Sequence, residues 1–251
     1  MRSGDRTAAV VDIDHPAPAA GEVLLDVSYC GICGSDLHML GMPAGMLPPG
    51  HVLGHEFTAV IAELGPHAEG WAVGDRVVVF PMIACGECDT CRTGHPNLCG
   101  SGIDRGPGIG RQGGYAESVA VPAGMLRPLP ATVSDTDGAL TEPLAVAIRA
   151  IRISGATPRE PVCVLGAGSL GMLTTAVLRA RGFGRVAVVE PASARRAAAG
   201  RLGVPAVSPD EAVTGIASLL ADAPPAVVID TTGHSSGAPL AVELLQPGHI
   251  A

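Results

Sequence analysis

Aromatic residues are scarce in this 251-residue chain: one tryptophan, two tyrosines and three phenylalanines, 2% of the whole. Its cores must therefore be built from Ala, Val, Leu and Ile, which the 47% hydrophobic content supplies. Positive charge is also in short supply. Sixteen basic residues lie scattered against 24 acidic ones, giving a net charge of -8, which argues against nucleic acid or an anionic membrane as the main partner. No segment reaches the roughly 18 unbroken apolar residues that a membrane helix needs. Residues 1–20 carry Asp5, Asp12 and Asp14 and lack the continuous apolar run of a signal peptide. With no sign of an oxidising compartment, a reducing cytoplasm is the expected location.

What the chain has in quantity is glycine and proline, 34 and 22 residues, the mark of many short elements joined by turns. The first half reads as short strands with little helix. Strands are predicted over 22–29, with Val23, Leu25, Val27 and Tyr29 on one face, and over 57–64, 76–80 and 115–121. A helix is predicted over 139–153, with Leu140, Leu144, Ile148 and Ile151 at helical spacing. The tract Ser154-Gly155-Ala156-Thr157-Pro158 reads as a linker, so the domains are set at 1–154 and 155–251. Beyond the linker the texture alternates. Strands are expected at 162–165, 185–189, 205–207 and 226–229, and helices at 170–181, 193–202, 211–220 and 239–245. Such alternation implies a parallel sheet with helices on both faces. Of a six-stranded dinucleotide fold in the order 3-2-1-4-5-6, only the 3-2-1-4 part is expected, and 248–251 resembles the start of a fifth strand.

Seven cysteines carry the strongest chemical signal. Cys85, Cys88, Cys91 and Cys99 fall within one short lobe, 81–100, and four thiolates close a tetrahedron around one zinc ion, leaving no open position for chemistry. The alternatives are idle thiols or a disulfide pair, and the latter wants an oxidising compartment. A second set of donors is Cys33, just past a strand, with His55 in Gly54-His55-Glu56 and a carboxylate from there or from Thr141-Glu142-Pro143. A catalytic zinc uses a few such ligands and keeps one position exchangeable. Cys30 and Cys163 read as buried small residues, and His15, His51, His67 and His95 as surface or turn residues.

The run Gly166-Ala167-Gly168-Ser169-Leu170-Gly171 follows a strand and opens a helix. Gly166 permits the tight turn, Gly168 lets backbone approach a pyrophosphate, and Gly171 lets helix and strand pack closely. The free amides of the helix start suit an anion. Glu190 ends the next strand, where an acid should bind ribose hydroxyls. A carboxylate there repels a 2′-phosphate, favouring NAD over NADP, although Arg195 and Arg196 lie nearby.

Taken together, Cys33-Gly34-Ser35-Asp36-Leu37-His38, Gly54-His55-Glu56, Gly74-Asp75-Arg76-Val77, the four-cysteine lobe, Gly113-Gly114-Tyr115-Ala116-Glu117, Glu142-Pro143-Leu144 and the glycine turn resemble the zinc-dependent medium-chain dehydrogenases. Glu142, where classical alcohol dehydrogenases have a cysteine, is similar to the sorbitol and threonine dehydrogenase branch. The resemblance implies an α/β chain: an N-terminal GroES-like, mostly-β catalytic domain followed by a partial Rossmann doubly wound sheet, truncated at its C-terminus. It implies one catalytic and one structural zinc, with Cys33, His55 and Glu56 as catalytic ligands and Glu142 as an exchangeable ligand or proton-relay partner. It also implies Ser35 and His38 as a proton relay, Arg195 over the adenine, Thr232 on the nicotinamide side of the cofactor, and homo-oligomers among full-length relatives. The expected reaction is oxidation of a secondary alcohol in a polyol, sugar, aminocyclitol or hydroxy amino acid. The alternative is a zinc-binding remnant without catalysis. One departure is Ala59, where the family has glycine.

Overall fold

The computed structural model describes residues 8–42, 47–48 and 50–245, and the chain divides into two compact units, 1–142 and 143–251. The expected start of a fifth strand at 248–251 lies outside the described residues. No helix among them is long and apolar enough to cross a membrane.

The first unit is built on an antiparallel sheet. Its strands are β1 (Glu22–Cys30), β2 (Phe57–Leu64), β3 (Arg76–Val79), β4 (Ser118–Pro122) and β5 (Leu126–Pro128), in the order β4-β1-β2-β3-β5. The helices α1 (Gly34–Leu40), α2 (Asp89–Arg92) and α3 (Asp135–Ala139) fill the connections. One face of the sheet buries Val23, Leu25, Phe57, Ala59, Ile61, Val77, Val119 and Val121 in a core with almost no aromatic content. Ala59 is fully buried in β2 and is not among the residues with positive φ, so alanine causes no strain where the family has glycine. Helix α3 is fastened to the sheet by polar contacts. Arg76 of β3 pairs with Asp135 at 2.7 Å, and the Thr58 hydroxyl of β2 donates to the Asp135 carbonyl at 3.0 Å.

The second unit is a parallel sheet. It comprises β6 (Val162–Leu165), β7 (Val186–Val189), β8 (Ala206–Val207) and β9 (Val227–Asp230), in the order β8-β7-β6-β9, which is the expected 3-2-1-4. Helices α4 (Thr141–Ile153), α5 (Ser169–Ala180), α6 (Ser193–Arg201), α7 (Pro209–Leu219) and α8 (Gly237–Leu244) complete it. Alternation along each strand splits the apolar residues between two cores. Val162, Val164, Val186, Val188 and Ile229 meet Ile151, Leu178 and Ala199 on one face. Cys163, Leu165, Ala187, Val189 and Val228 meet Ala212, Ile216, Leu220 and Leu244 on the other. Both faces are covered, as a parallel sheet requires. Leu178 is fully buried, so cutting it to alanine costs about 2–5 kcal/mol.

Several boundaries differ from the sequence reading. Tyr29 is 52% exposed rather than turned inward, because β1 slips register between Val27 and Tyr29 and again at Leu24/Leu25. The expected strand over 115–121 begins only at Ser118, which leaves Tyr115 in a loop. The helix expected over 139–153 is α4, which begins at Thr141; Leu140 lies at the break from α3 and is 43% exposed. Helix α4 buries Ile151 in the second unit's core, and the compact-unit boundary falls in its first turn, between Glu142 and Pro143. His51, read as a surface or turn residue, is 7% exposed and so not on the surface.

Candidate metal centre and nucleotide turn

Among the described residues, the Cys, His, Asp and Glu side chains able to share an ion form two groups, Cys85–Cys88–Cys91–Cys99 and Cys33–His55–Glu56; within each, the donor atoms all lie within 4.8 Å of one another. In the lobe, the Cys88 and Cys91 sulfurs are 3.4 Å apart, and the Cys85–Cys91 and Cys88–Cys99 pairs are 3.9 Å apart. Four sulfurs bound ~2.3 Å from a central ion at tetrahedral corners stand about 3.8 Å apart. A disulfide would close to about 2.05 Å, and all four cysteines are free thiols. Backbone amides of Cys85 and Cys88 point at sulfurs, each at 3.3 Å. The Ser101 hydroxyl beside Cys99 brings that thiol down to about 6, while loss of hydration pushes Cys91 up to about 12. The cluster fits a structural zinc.

The second group is assembled by three segments. Cys33 occupies the N-cap of α1, where its amide donates to Asp36 Oδ2 at 3.0 Å, a side-chain brace that sets the first turn. His55 and Glu56 lead into β2 from Gly54, which has φ of +98°. A Cβ on Gly54 would stand 2.8 Å from the Cys30 sulfur and 2.9 Å from Tyr115, so only glycine fits. Gly113 donates to the Val52 carbonyl and Gly114 to that of Gly54, seating the glycine-rich loop against the His55 segment. Gly31 leaves the space that the Glu56 carboxylate fills, since a Cβ there would lie 2.5 Å from Oε2.

The electrostatics of this group fit a cation. Burial pushes Cys33 and Glu56 above their ordinary values, and Asp36 beside His55 raises the imidazole. Burial also acts to raise Asp36, but contacts from His55, the Tyr115 hydroxyl and the Cys33 amide outweigh it and hold the carboxyl low. A soft thiolate, an imidazole and a carboxylate crowded together lose their proton competition once an ion takes their lone pairs. Asp36 Oδ1 and His55 Nδ1 lie 3.5 Å apart, and both are buried without a hydrogen bond. With Nδ1 turned to Asp36, Nε2 is the nitrogen left for an ion, the usual carboxylate–histidine–metal arrangement.

Other predicted residues fall at different distances from this group. The Ser35 hydroxyl and amide act to lower the Cys33 thiol against the burial that raises it. Glu142 is outside the trio; burial raises its carboxyl, and it interacts electrostatically with His55 and Glu56. His38 is exposed on α1. Asp36 and Tyr115 stood in the sequence motifs with no role attached. The Tyr115 hydroxyl lies 2.7 Å from Asp36 Oδ2, a contact between residues 79 apart in sequence.

In the second unit, Gly166, Glu190 and Thr232 gather at the carboxyl ends of β6, β7 and β9, where the strand order changes direction. Gly166 has φ of +93° and closes the turn. A Cβ on Gly171 would strike the Gly166 carbonyl, so its absence lets α5 pack on the turn. Gly168 caps α5, and a Cβ there would meet open space, leaving backbone amides clear for an anion. Leu170 is partly buried on the first turn of α5. Glu190, 3% exposed, receives the Ala167 amide on one oxygen at 2.8 Å and the Ala192 amide on the other at 2.9 Å. Its carboxylate therefore ties the glycine turn to the end of β7. Arg195 is exposed on α6, whereas Arg196 donates to the Glu190 and Pro191 carbonyls. The Thr232 hydroxyl donates to Asp230 Oδ1 at 2.7 Å.

A metal-donor antiparallel unit and a dinucleotide-type parallel unit in one chain define a class of two-domain oxidoreductases. Residues 19–131 match the alcohol dehydrogenase GroES-like domain. The chain is 41% identical over 207 residues to 2-dehydro-3-deoxy-L-galactonate 5-dehydrogenase of Pseudoalteromonas atlantica, covering 82% of this chain and 60% of that protein. It is 34% identical over 240 residues to L-threonine 3-dehydrogenase of Pyrococcus horikoshii, covering 94% of this chain and 68% of that protein. A crystal structure of an alcohol dehydrogenase (rspB) from Escherichia coli CFT073, complexed with the cofactor NADH, superposes with a TM-score of 0.87 at 31% identity, covering 99% of this chain and 73% of that one. The chain belongs to the zinc-dependent medium-chain alcohol dehydrogenase family.

Proposed function

We infer that this chain carries the zinc and nucleotide sites of a dehydrogenase that oxidises a secondary alcohol to a ketone. The relatives' names, a threonine dehydrogenase and a sugar-acid dehydrogenase, support a substrate with neighbouring polar groups, such as a polyol, sugar, aminocyclitol or hydroxy amino acid. The observation that carries the reading is the Cys33–His55–Glu56 group, with every donor atom within 4.8 Å of the others. A zinc ion bound there would supply Lewis acidity to acidify the alcohol, and NAD would supply a hydride acceptor. The chain's own residues do the rest. Cys33, His55 and Glu56 hold the ion, and Glu142 is the exchangeable or relay carboxylate. Ser35 takes the hydroxyl proton and His38 passes it to solvent. Gly166, Gly168, Leu170 and Gly171 would hold the pyrophosphate at the start of α5, Glu190 the ribose hydroxyls, Arg195 the adenine, and Thr232 the nicotinamide side. Cys85, Cys88, Cys91 and Cys99 hold a second, structural zinc. NAD is preferred to NADP because the buried Glu190 carboxylate, placed at the ribose as this reading has it, would repel a 2′-phosphate.

The test is a panel of polyols and amino alcohols with NAD and with NADP, following reduced cofactor, beside metal analysis of the pure chain. Two zinc ions per chain and turnover with NAD are expected. A folded chain with no zinc, or with two zincs and no turnover across the panel, would refute the reading.

A further inference from the structure

The geometry points to Tyr115 as a positioning residue for the Cys33–His55–Glu56 group: its phenol grips Asp36 Oδ2 and so holds Asp36 Oδ1 against His55 Nδ1. This inference rests on the metal reading above and assigns a role within that site.

Three observations converge. The Tyr115 oxygen lies 2.7 Å from Asp36 Oδ2 and 2.8 Å from the Gly31 carbonyl. A phenol has one proton, and an ionised carboxylate is the stronger acceptor, so the donated bond goes to Asp36. Oδ2 then receives two donors, the phenol and the Cys33 amide at 3.0 Å. Oδ1 receives none, and it is the atom facing His55 Nδ1 at 3.5 Å, itself without a partner. Asp36 is 1% exposed, so water does not compete for these positions. With Oδ2 clamped from two sides, the carboxylate cannot rotate away, and its second oxygen stays committed to the imidazole.

Tyr115 also touches the group from its other side. Its backbone amide donates to the Leu53 carbonyl, and its ring lies against Gly54, immediately before His55. The same residue thus braces the segment carrying His55 and the carboxylate that orients it. A phenylalanine would keep the ring and the backbone contacts and lose only the grip on Asp36.

The experiment measures zinc release from the isolated chain to a chromogenic chelator. Cys33→Ser, which removes a donor from this group alone, identifies which release phase belongs to it. Tyr115→Phe is expected to release that zinc roughly 10–100-fold more readily, the range for lost outer partners of metal ligands, with the lobe zinc unchanged. Asp36→Asn should affect the same zinc, and the double variant should be no worse than Asp36→Asn alone, because both act through one contact. The inference is overturned if Tyr115→Phe keeps both zincs at wild-type rates. It is equally overturned if the variant loosens the lobe zinc too, or if the two substitutions act independently. A wild-type chain holding only the lobe zinc would sink the underlying metal reading and this role with it, and would be seen before any variant is compared.

Discussion

At the scale of single residues, this site is shaped as much by missing side chains as by those present. Gly31 shows it most directly. Its amide donates to the Glu56 carbonyl at 2.7 Å, and the space beside its Cα is taken by the Glu56 carboxylate. Adding a methyl group at Gly31 puts a carbon 2.5 Å from Oε2 and 3.3 Å from the Glu56 Cβ. The first conflict is with the far end of a flexible chain, so the carboxylate swings away while the backbone stays. Gly31→Ala should therefore leave the melting temperature close to wild type and weaken zinc binding at the Cys33 group by at least roughly tenfold. Equilibrium competition against a chelator reads this, with the lobe zinc as internal reference. Unchanged affinity would mean that Glu56 is not a ligand. Glu190 teaches a related lesson. The sequence pointed to ribose, yet both carboxylate oxygens already bind backbone amides. The residue shapes the glycine turn, a duty that no sequence spacing reveals.

At the scale of elements, the four-cysteine lobe differs from everything around it. Across 81–100 Cys99 is the buried residue, and the secondary structure is α2 plus a single turn of 3-10 helix at Pro96–Leu98. Leu98 itself is 61% exposed. Beyond Ile83, which packs on the sheet core, the lobe has no apolar core of its own, so the ion should supply most of the free energy that orders 85–99. Chelating the metal, or replacing Cys99 by alanine, should abolish amide-exchange protection across 85–99 while β1, β2 and β4 keep theirs. Protection in the lobe that survives chelation would refute a metal-held fold. The same contrast explains which elements could be read from sequence. The strands of the parallel sheet are unbroken apolar runs, covered on both faces, and β6, β7 and β9 fall where expected to within a residue. The antiparallel strands are less legible. Register shifts in β1 turn Tyr29 outward, and β5 is three residues long and was missed. Helix α1 was also missed, because a cap between Cys33 and Asp36 defines it rather than an apolar stripe. For the same reason the ligand types were legible at Cys33, His55 and Glu56, while the Tyr115–Asp36–His55 contacts were not: they join segments brought together only by folding.

At the scale of the whole molecule, the donor group couples stability to pH in opposite ways with and without metal. Without zinc, His55 is raised above 6.5 by Asp36, and burial raises Glu56 and Glu142 above 4.5 and Cys33 above 9.0. A group whose pKa rises on folding contributes stability that is complete below its unfolded value and is lost as pH climbs through the folded one. For the two glutamates that loss begins near pH 4.5, for His55 near 6.5, and for Cys33 near 9.0, so what this group contributes to the metal-free chain should weaken steadily from mild acid through neutrality. Asp36 runs the other way. Its carboxyl is held below 3.8, so its contribution is present above that value and disappears as pH falls through the folded pKa. The contribution of this group to the metal-free chain should thus peak in mild acid, whereas Cys99 in the lobe, brought down to about 6, contributes stability that grows above that value. Zinc reverses the trend, because ions bind the deprotonated ligands and each proton displaced strengthens binding as pH rises. In a Cys99→Ala background, which removes the opposing lobe thiol, melting temperature measured from pH 4 to pH 9 should fall with pH after chelation and rise with pH when zinc is supplied in excess. Asp36→Asn should remove the acid limb of the metal-free curve and flatten the loss assigned to His55. Parallel curves with and without zinc would mean that these buried groups do not meet at an ion.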